Sequence, residues 1–202
     1  MMENKMAYIK TIQEEEAEGL VREVYTTARD TFGYVPNHAK LFSLRPKVYQ
    51  AWNELSSSIR SHMRLRRYEL ITFASALELN CTYCALAHAA VLRKNFFSAK
   101  EIIAIVQDYR SAGLAVEEVA LMTLAQKIIQ HAGDVNEADI EELRGFGLKD
   151  EEILDVVLTI TARSFFSKTL EALDAIPDDK YLELEPELIQ ALAKGRPFPY
   201  PQ

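Results

Sequence analysis

The sequence predicts an all-α protein. Three observations carry that expectation: apolar residues recur at three- and four-residue steps through nearly the whole chain, no useful stretch alternates with a period of two, and glycine, proline and capping residues interrupt the stripes at helix-length intervals. With 202 residues, 49% of them hydrophobic, the chain can bury a sizeable core. It reads most simply as one domain, or as two tightly packed halves.

In chain order, Ala17, Leu20, Val21, Val24, Tyr25 and Ala28 form the first amphipathic stripe, which Gly33 and Pro36 end. A short turn over Asn37 to Phe42 leads to Pro46, suited to a first helical turn, and Val48, Ala51, Trp52, Leu55 and Ile59 make the next stripe. Leu70, Ile71, Ala74 and Leu77 lie on a helix expected from Arg66 to Leu79. Asn80 is a favourable N-cap for a following helix that runs to about Lys94. Ser98 with Glu101 reads as a capping box opening a helix that carries Ile102, Ile103, Ile105 and Val106. Val119 to Ile128 form another, closed by Gly133. Asn136 opens a short helix that stops near Gly145 and Gly147, and Asp150 caps a long apolar one through Leu173. The tail contains Pro177, Pro186, Pro197, Pro199 and Pro201, which leaves room for a short helix from Pro186 to Lys194. The proline-rich end with Phe198 and Tyr200 either stays loose or docks its aromatics on another subunit, the second being the expectation.

The formal charge is −7, and the acidic residues are spread as Glu14 to Glu16, Glu117-Glu118, Glu141-Glu142 and Glu151-Glu152. Phosphate binding needs a basic stripe, so nucleic acid is not an expected partner. Arg64, Arg66 and Arg67 are the local exception and read as a solvated helix start. No apolar run is long enough to span a bilayer, and the N-terminus lacks a signal-peptide pattern, so no membrane partner and a cytoplasmic location are expected.

Cys81 and Cys84 are the only cysteines, in the run Glu78-Leu-Asn-Cys81-Thr-Tyr-Cys84-Ala-Leu-Ala-His88. In the first turn of a helix, free N–H groups and the positive dipole end favour a thiolate. Spacings of three, four and seven put Cys81, Cys84 and His88 on one face. An antiparallel turn at Asn80 would bring the Glu69 carboxylate back towards His88. An acid orienting a base beside a thiol is the general arrangement of an activated nucleophile. These residues alone leave three readings open: dithiol/disulfide exchange, a zinc site with Glu69 as fourth ligand, and plain packing of two small buried thiols. His38, His62 and His131 read as surface or capping residues that nothing pairs with the centre, Glu78 as an ordinary helix-end acid, and Trp52, Tyr68 and Phe73 as core.

A shift of 83 residues lays Leu65 to Ile71 over Leu148 to Leu154, with Phe73, Ala74, Leu77 and Leu79 meeting Val156, Val157, Ile160 and Ala162. Ser164 and Ser167 then stand where the first segment has Cys81 and Cys84. Both serines lack a visible base and read as structural. The organisation expected is a single domain over 1–202: a redox half over about 15–110, a degenerate half over about 115–176 and a proline-rich tail over 177–202.

Glu69, eleven residues, Cys81, two residues, Cys84, three residues and His88 match the signature of the AhpD-like proteins (alkylhydroperoxidase D) within the carboxymuconolactone decarboxylase superfamily. Gly33-Tyr-Val-Pro36-Asn37 followed by Leu44-Arg-Pro46 resembles the upstream segment of the peroxidase-related branch, and Thr161-Ala-Arg-Ser-Phe165-Phe166 resembles its later helix, so the likeness spans most of 33–175. The resemblance implies an all-helical AhpD-like bundle, assembled as a dimer, trimer or hexamer, that reduces hydroperoxides or serves a partner peroxidase as a thiol-disulfide adaptor. It implies that Glu69 and His88 take the proton of Cys84, that Cys84 attacks a hydroperoxide, and that Cys81 closes a disulfide reduced by an external dithiol. No cofactor and no metal is implied. A carboxymuconolactone-type decarboxylase is the third reading, since such members generally work without the cysteine pair. One departure stands out: better-studied members often place a histidine between the cysteines, where this chain has Tyr83, and a phenol cannot serve as a near-neutral base.

Overall fold

The computed structural model describes residues 6–199, and among these every regular element is a helix. The order is α1 (Gly19–Phe32), α2 (Asn37–Leu41), α3 (Pro46–Ser61), α4 (Leu65–Glu78), α5 (Thr82–Asn95), α6 (Ala99–Asp108), α7 (Val116–His131), α8 (Glu137–Gly145), α9 (Asp150–Ala172) and α10 (Pro186–Leu192), with short 3-10 turns between some of them. The segment read as a turn over Asn37 to Phe42 is a one-turn helix followed by a 3-10 turn. The capping box at Ser98 forms as expected, and Asn136 opens α8 as expected, with a box to Asp139 that the sequence reading did not include. Lys149, not Asp150, is the N-cap of α9, because Glu152 reaches back to the Lys149 N–H (3.0 Å) and leaves Asp150 in the first turn, where its charge suits the dipole.

The bundle is built around α4, which packs against α5, α7 and α9. Tyr68 to Ala76 is buried without a break, and a helix covered on all sides must satisfy its polar groups internally. Thr72 and Ser75 do so by donating to the carbonyls of Tyr68 and Ile71 (2.8 Å each). Arg66 and Arg67 are not a solvated helix start. Arg66 grips Glu118 with two bonds (2.6 and 3.0 Å), and Arg67 bridges Glu117 on α7 and Glu152 on α9 (2.7 and 3.0 Å), so the cluster clamps three helices together. Glu78 also reaches α7, accepting from Gln126 and Gln130 (3.3 and 2.7 Å).

Ile102 and Ile105 are buried within the chain, and α6 packs against α10. Of the large apolar side chains left open, Leu44, Val48, Leu55, Leu154, Leu158 and Phe165 gather on and near α3 and α9. The 83-residue correspondence maps α4 onto the first half of α9. Where the chain breaks at Asn80 and Cys81 between α4 and α5, α9 runs on unbroken through Ser164 and Ser167.

The tail folds back on its own chain rather than waiting for another subunit. Phe198 is buried, and Arg196 pairs with Asp174 (3.2 Å) and Glu171 (3.6 Å). Tyr200 and Pro201 lie outside the described residues. No described helix is long and apolar enough to cross a membrane.

Candidate redox site

The corner between α4 and α5 decides where the thiols sit. The Cys81 N–H donates to the Ala76 carbonyl and the Asn80 N–H to that of Leu77 (3.0 Å each), the bonding pattern of a Schellman end. That ending needs a left-handed residue, and Asn80 supplies it with φ +52°, asparagine being among the side chains that tolerate this region best. Asn80 is therefore the terminator of α4 and not the N-cap of α5. Cys81 takes the cap position, with extended backbone and its carbonyl accepting from Ala85 (2.9 Å), and Cys84 becomes the third helical residue.

Both thiols are buried and reduced. His88, one turn beyond Cys84, faces α4, where its Nδ1 lies 2.7 Å from Glu69 Oε2 and 3.3 Å from Thr72 Oγ1. Glu69 is itself buried, so it holds the imidazole in one orientation. No hydrogen bond joins His88 to Cys84 among the described residues; the imidazole acts on the thiol through its field.

The strongest feature was not singled out in the sequence. Arg163 on α9 is buried, with Nη1 4.0 Å from Cys84 Sγ, and its guanidinium lies 5.6 Å from the ring centres of both Trp52 and Phe166. No carboxylate pairs with it among the described residues, and its Nε has no hydrogen-bond partner. A buried cation without a counter-charge is costly, and the acids beside it are the Cys84 thiol and the Tyr68 phenol. Ser167, one turn on, buries its hydroxyl beside the same sulfur.

These neighbours split the two cysteines. The hydrogen bond from Cys81 holds Cys84 well below the usual thiol range, burial opposes this, and Arg163, Ser167 and His88 add to the lowering. The same shared proton, then burial, pushes Cys81 upwards. The pair thus loses its first proton from Cys84 and keeps the second on Cys81.

Tyr83 contributes no base and touches neither thiol through its hydroxyl. It donates to Asp178 Oδ2 (2.5 Å) and accepts from the His38 N–H (3.2 Å), tying the first turn of α5 to α2 and to the loop before α10. His38, read from sequence as unrelated to the centre, packs on Tyr83 and on Phe166. Burial, then the Arg163 charge, pulls its pKa down to about 3, so it is neutral at physiological pH. Trp52 and Tyr68 are buried as expected, yet together with Ser56, Thr159 and Arg163 they line a cleft of about 10 Å³, room for roughly one water. His62 and His131 stay apart from the site. No group of three or more His, Cys, Asp or Glu side chains among the described residues is arranged to hold a metal ion.

The C-terminal segment closes the other side. Thr82 Oγ1 donates to the Arg196 carbonyl (2.7 Å) and accepts from the Gly195 N–H (3.2 Å), while Arg196 also donates to Tyr8 Oη (2.7 Å). A Cβ at position 195 would stand 1.8 Å from the Asn80 carbonyl oxygen, so only glycine lets this strap lie on the corner.

Comparison with known proteins agrees with this architecture. Residues 46–127 match the model of the Carboxymuconolactone decarboxylase family, a stretch that holds Glu69, Cys81, Cys84 and His88 but not Arg163. No curated protein matches the chain in sequence. Among solved structures, an alkylhydroperoxidase AhpD core, an uncharacterized peroxidase-related protein from Ralstonia eutropha JMP134, is similar with a TM-score of 0.80 and 21% identity over 89% of this chain and 96% of its own. A peroxidase-related protein from Silicibacter sp. TM1040 has a TM-score of 0.78 and 20% identity, covering 91% of this chain and 97% of its own. The debrominase Bmp8 shares the fold at a TM-score of 0.72 and 14% identity, over 95% of this chain and 100% of its own. Residues 46–127 thus resemble the carboxymuconolactone decarboxylase family in sequence, and the chain shares the fold of the AhpD core and of the peroxidase-related proteins.

Proposed function

We propose that the chain is a thiol-dependent hydroperoxide reductase with Cys84 as attacking and Cys81 as resolving residue. The observation that carries this reading is the buried Arg163 guanidinium at 4.0 Å from Cys84, which favours a standing thiolate at a site that also holds an oriented Glu69–His88 pair. The proton of Cys84 passes to His88, directly or through a water, with Glu69 stabilising the imidazolium. The thiolate attacks the terminal peroxide oxygen: an S–O bond forms, the O–O bond breaks, and the departing alkoxide takes the proton back and leaves as an alcohol. Cys84 is now a sulfenic acid. Cys81 attacks it, the S–S bond forms, the S–O bond breaks and water leaves. An external dithiol reduces the disulfide by exchange. The peroxidase-related proteins of the same fold accord with an antioxidant role.

The near-complete burial of both thiols favours a second reading for bulky oxidants. With Cys81 and Cys84 only 1% and 2% exposed, a protein so closed could instead serve as a redox adaptor of a partner peroxidase. A cytoplasmic setting, whose thiol pool keeps the pair reduced, belongs to this proposal. So does self-association into a homo-oligomer through the open apolar residues of α3 and α9. Mixing the protein with hydroperoxide under a dithiol reductant tests the reading. Peroxide consumption abolished by Cys84→Ser supports the reductase, and disulfide cycling without consumption supports the adaptor. Activity on any substrate that is indifferent to Cys81→Ser and Cys84→Ser refutes both.

A further inference from the structure

Oxidation of the cysteine pair removes the negative charge that answers Arg163. The guanidinium stands in the core with Nη1 4.0 Å from Cys84 Sγ, and Arg163 is only 6% exposed. The rings of Trp52 and Phe166, with centres 5.6 Å away, offer it their faces but no counter-charge. The cleft of about 10 Å³ beside it has room for roughly one water, which can accept from the orphan Nε and brings no charge either. A Cys84 thiolate therefore pairs with the cation, whereas a disulfide sulfur is neutral and leaves the cation alone in the core. His88 is not in that position, because Glu69 Oε2 lies 2.7 Å from its Nδ1 and answers a charge on the ring. The other titratable groups whose fields reach Cys84 or Arg163 are Tyr68 on α4, Cys81 on α5, Glu171 on α9, Tyr181 in the turn before α10 and the neutral His38 on α2. None of these is a cation at neutral pH, so none can replace Arg163 beside the thiolate.

We propose that Arg163 sets the redox poise of the pair: it is matched by the thiolate and by nothing in the disulfide, so the Cys81–Cys84 disulfide is an oxidising one that a small monothiol suffices to reduce. This rests on the dithiol/disulfide reading of the pair and deepens it by naming the class of reductant. A pair whose reduced form is stabilised is the stronger oxidant, and only such a disulfide yields to a monothiol, which gains no ring closure of its own. Arg163 acts through Cys84 and is a positioning residue. In the reduction, the thiolate of one monothiol attacks a sulfur of the disulfide, the Cys81–Cys84 bond breaks and a mixed disulfide forms. A second monothiol attacks the sulfur of the first, the mixed bond breaks, and the monothiol leaves as its own disulfide. Two electrons have passed to the pair. Of the two protons that the monothiols give up, one is taken by Cys81 and one by solvent, and Cys84 is left as a thiolate facing Arg163.

The test avoids peroxide, so that its failure is distinct from failure of the peroxidase reading. The full-length chain is brought to equilibrium in buffers of graded reduced and oxidised glutathione, quenched with acid and alkylated, and mass spectrometry gives the fraction of dithiol. At pH 7 the Arg163→Met chain is expected to need at least about tenfold more reducing buffer than the parent for half reduction, a potential lower by ~30 mV or more at ~30 mV per tenfold. Arg163→Lys keeps a cation and is expected to stay nearer the parent than Arg163→Met does. As pH falls below the ionisation of Cys84, parent and variant both carry a neutral thiol and the gap is expected to close, which a packing effect would not do. Equal midpoints for the parent and a folded Arg163→Met chain overturn the assignment, and so does a gap that stays constant through low pH. A parent disulfide that dithiothreitol reduces but an excess of glutathione does not overturns it as well.

Discussion

Replacing Arg163 with methionine removes the charge next to Cys84 while keeping much of the apolar stem beside the stacked rings of Trp52 and Phe166. At 4.0 Å, opposite unit charges attract by ~4 kcal/mol at an effective dielectric of ~20. One pKa unit corresponds to ~1.4 kcal/mol, so loss of the guanidinium should raise the Cys84 pKa by between about one and three units, the lower figure allowing for relaxation and water entry. The cation has no carboxylate partner and an unsatisfied Nε, so Arg163→Met is expected to fold at least as stably as the parent. The assay is the rate of alkylation by iodoacetamide against pH, with mass spectrometry confirming Cys84 as the site. Cys81 remains a thiol over the lower range, so the midpoint there reports Cys84. Arg163→Lys, which keeps a charge but not the planar fork, should fall between the two. A folded Arg163→Met protein with an unmoved midpoint would refute the argument that Arg163 holds the thiolate.

The lowered Cys84 pKa also makes a stability prediction. A depressed acid contributes stability that is present above its unfolded value, about 8.5, and lost as pH falls through its folded value. Cys81 is shifted the other way and matters only above that unfolded value. The stability of the parent relative to Cys84→Ser, from urea unfolding, should therefore rise with pH up to about 8.5 and not before Cys84 ionises. Glu69→Gln leaves His88 without an anionic partner and is expected to lower peroxide turnover by about tenfold to a hundredfold with little change in Tm, as steady-state kinetics would show. Tyr83→Phe strips the buried Asp178 of a donor and should cost about 1–3 kcal/mol in chemical unfolding, while leaving the thiol alkylation midpoint in place. Gly195→Ala drives a methyl into the Asn80 carbonyl. It should lift the strap, with a lower Tm and faster alkylation of Cys81 than in the parent; an unchanged Tm would show that the strap is not seated there.

What the sequence determined by itself is what local chemistry determines. Apolar spacing marked the helices, Ser98 with Glu101 and Asn136 marked two of their starts, and the steps from Cys81 through Cys84 to His88 placed three functional groups on one helical face. The approach of Glu69 to His88 was legible because the two helices are consecutive and the link between them is too short to do anything but reverse the chain. Even there the residue preference misled by one position: asparagine is a good N-cap and a good left-handed terminator, and the tight reversal demanded the second role. Tertiary structure alone decided the rest. Arg163 lies 79 residues from Cys84 along the chain, and arginine is usually a surface residue, so nothing local says that this one turns inward against Trp52 and Phe166. The same holds for His38 against Tyr83 and for the tail over Asn80. The thiol pair is written in the motif, but its asymmetry comes from α9 and the C-terminal strap, because the field at a buried sulfur is set by whichever charges the packing of distant segments brings to within a few ångströms.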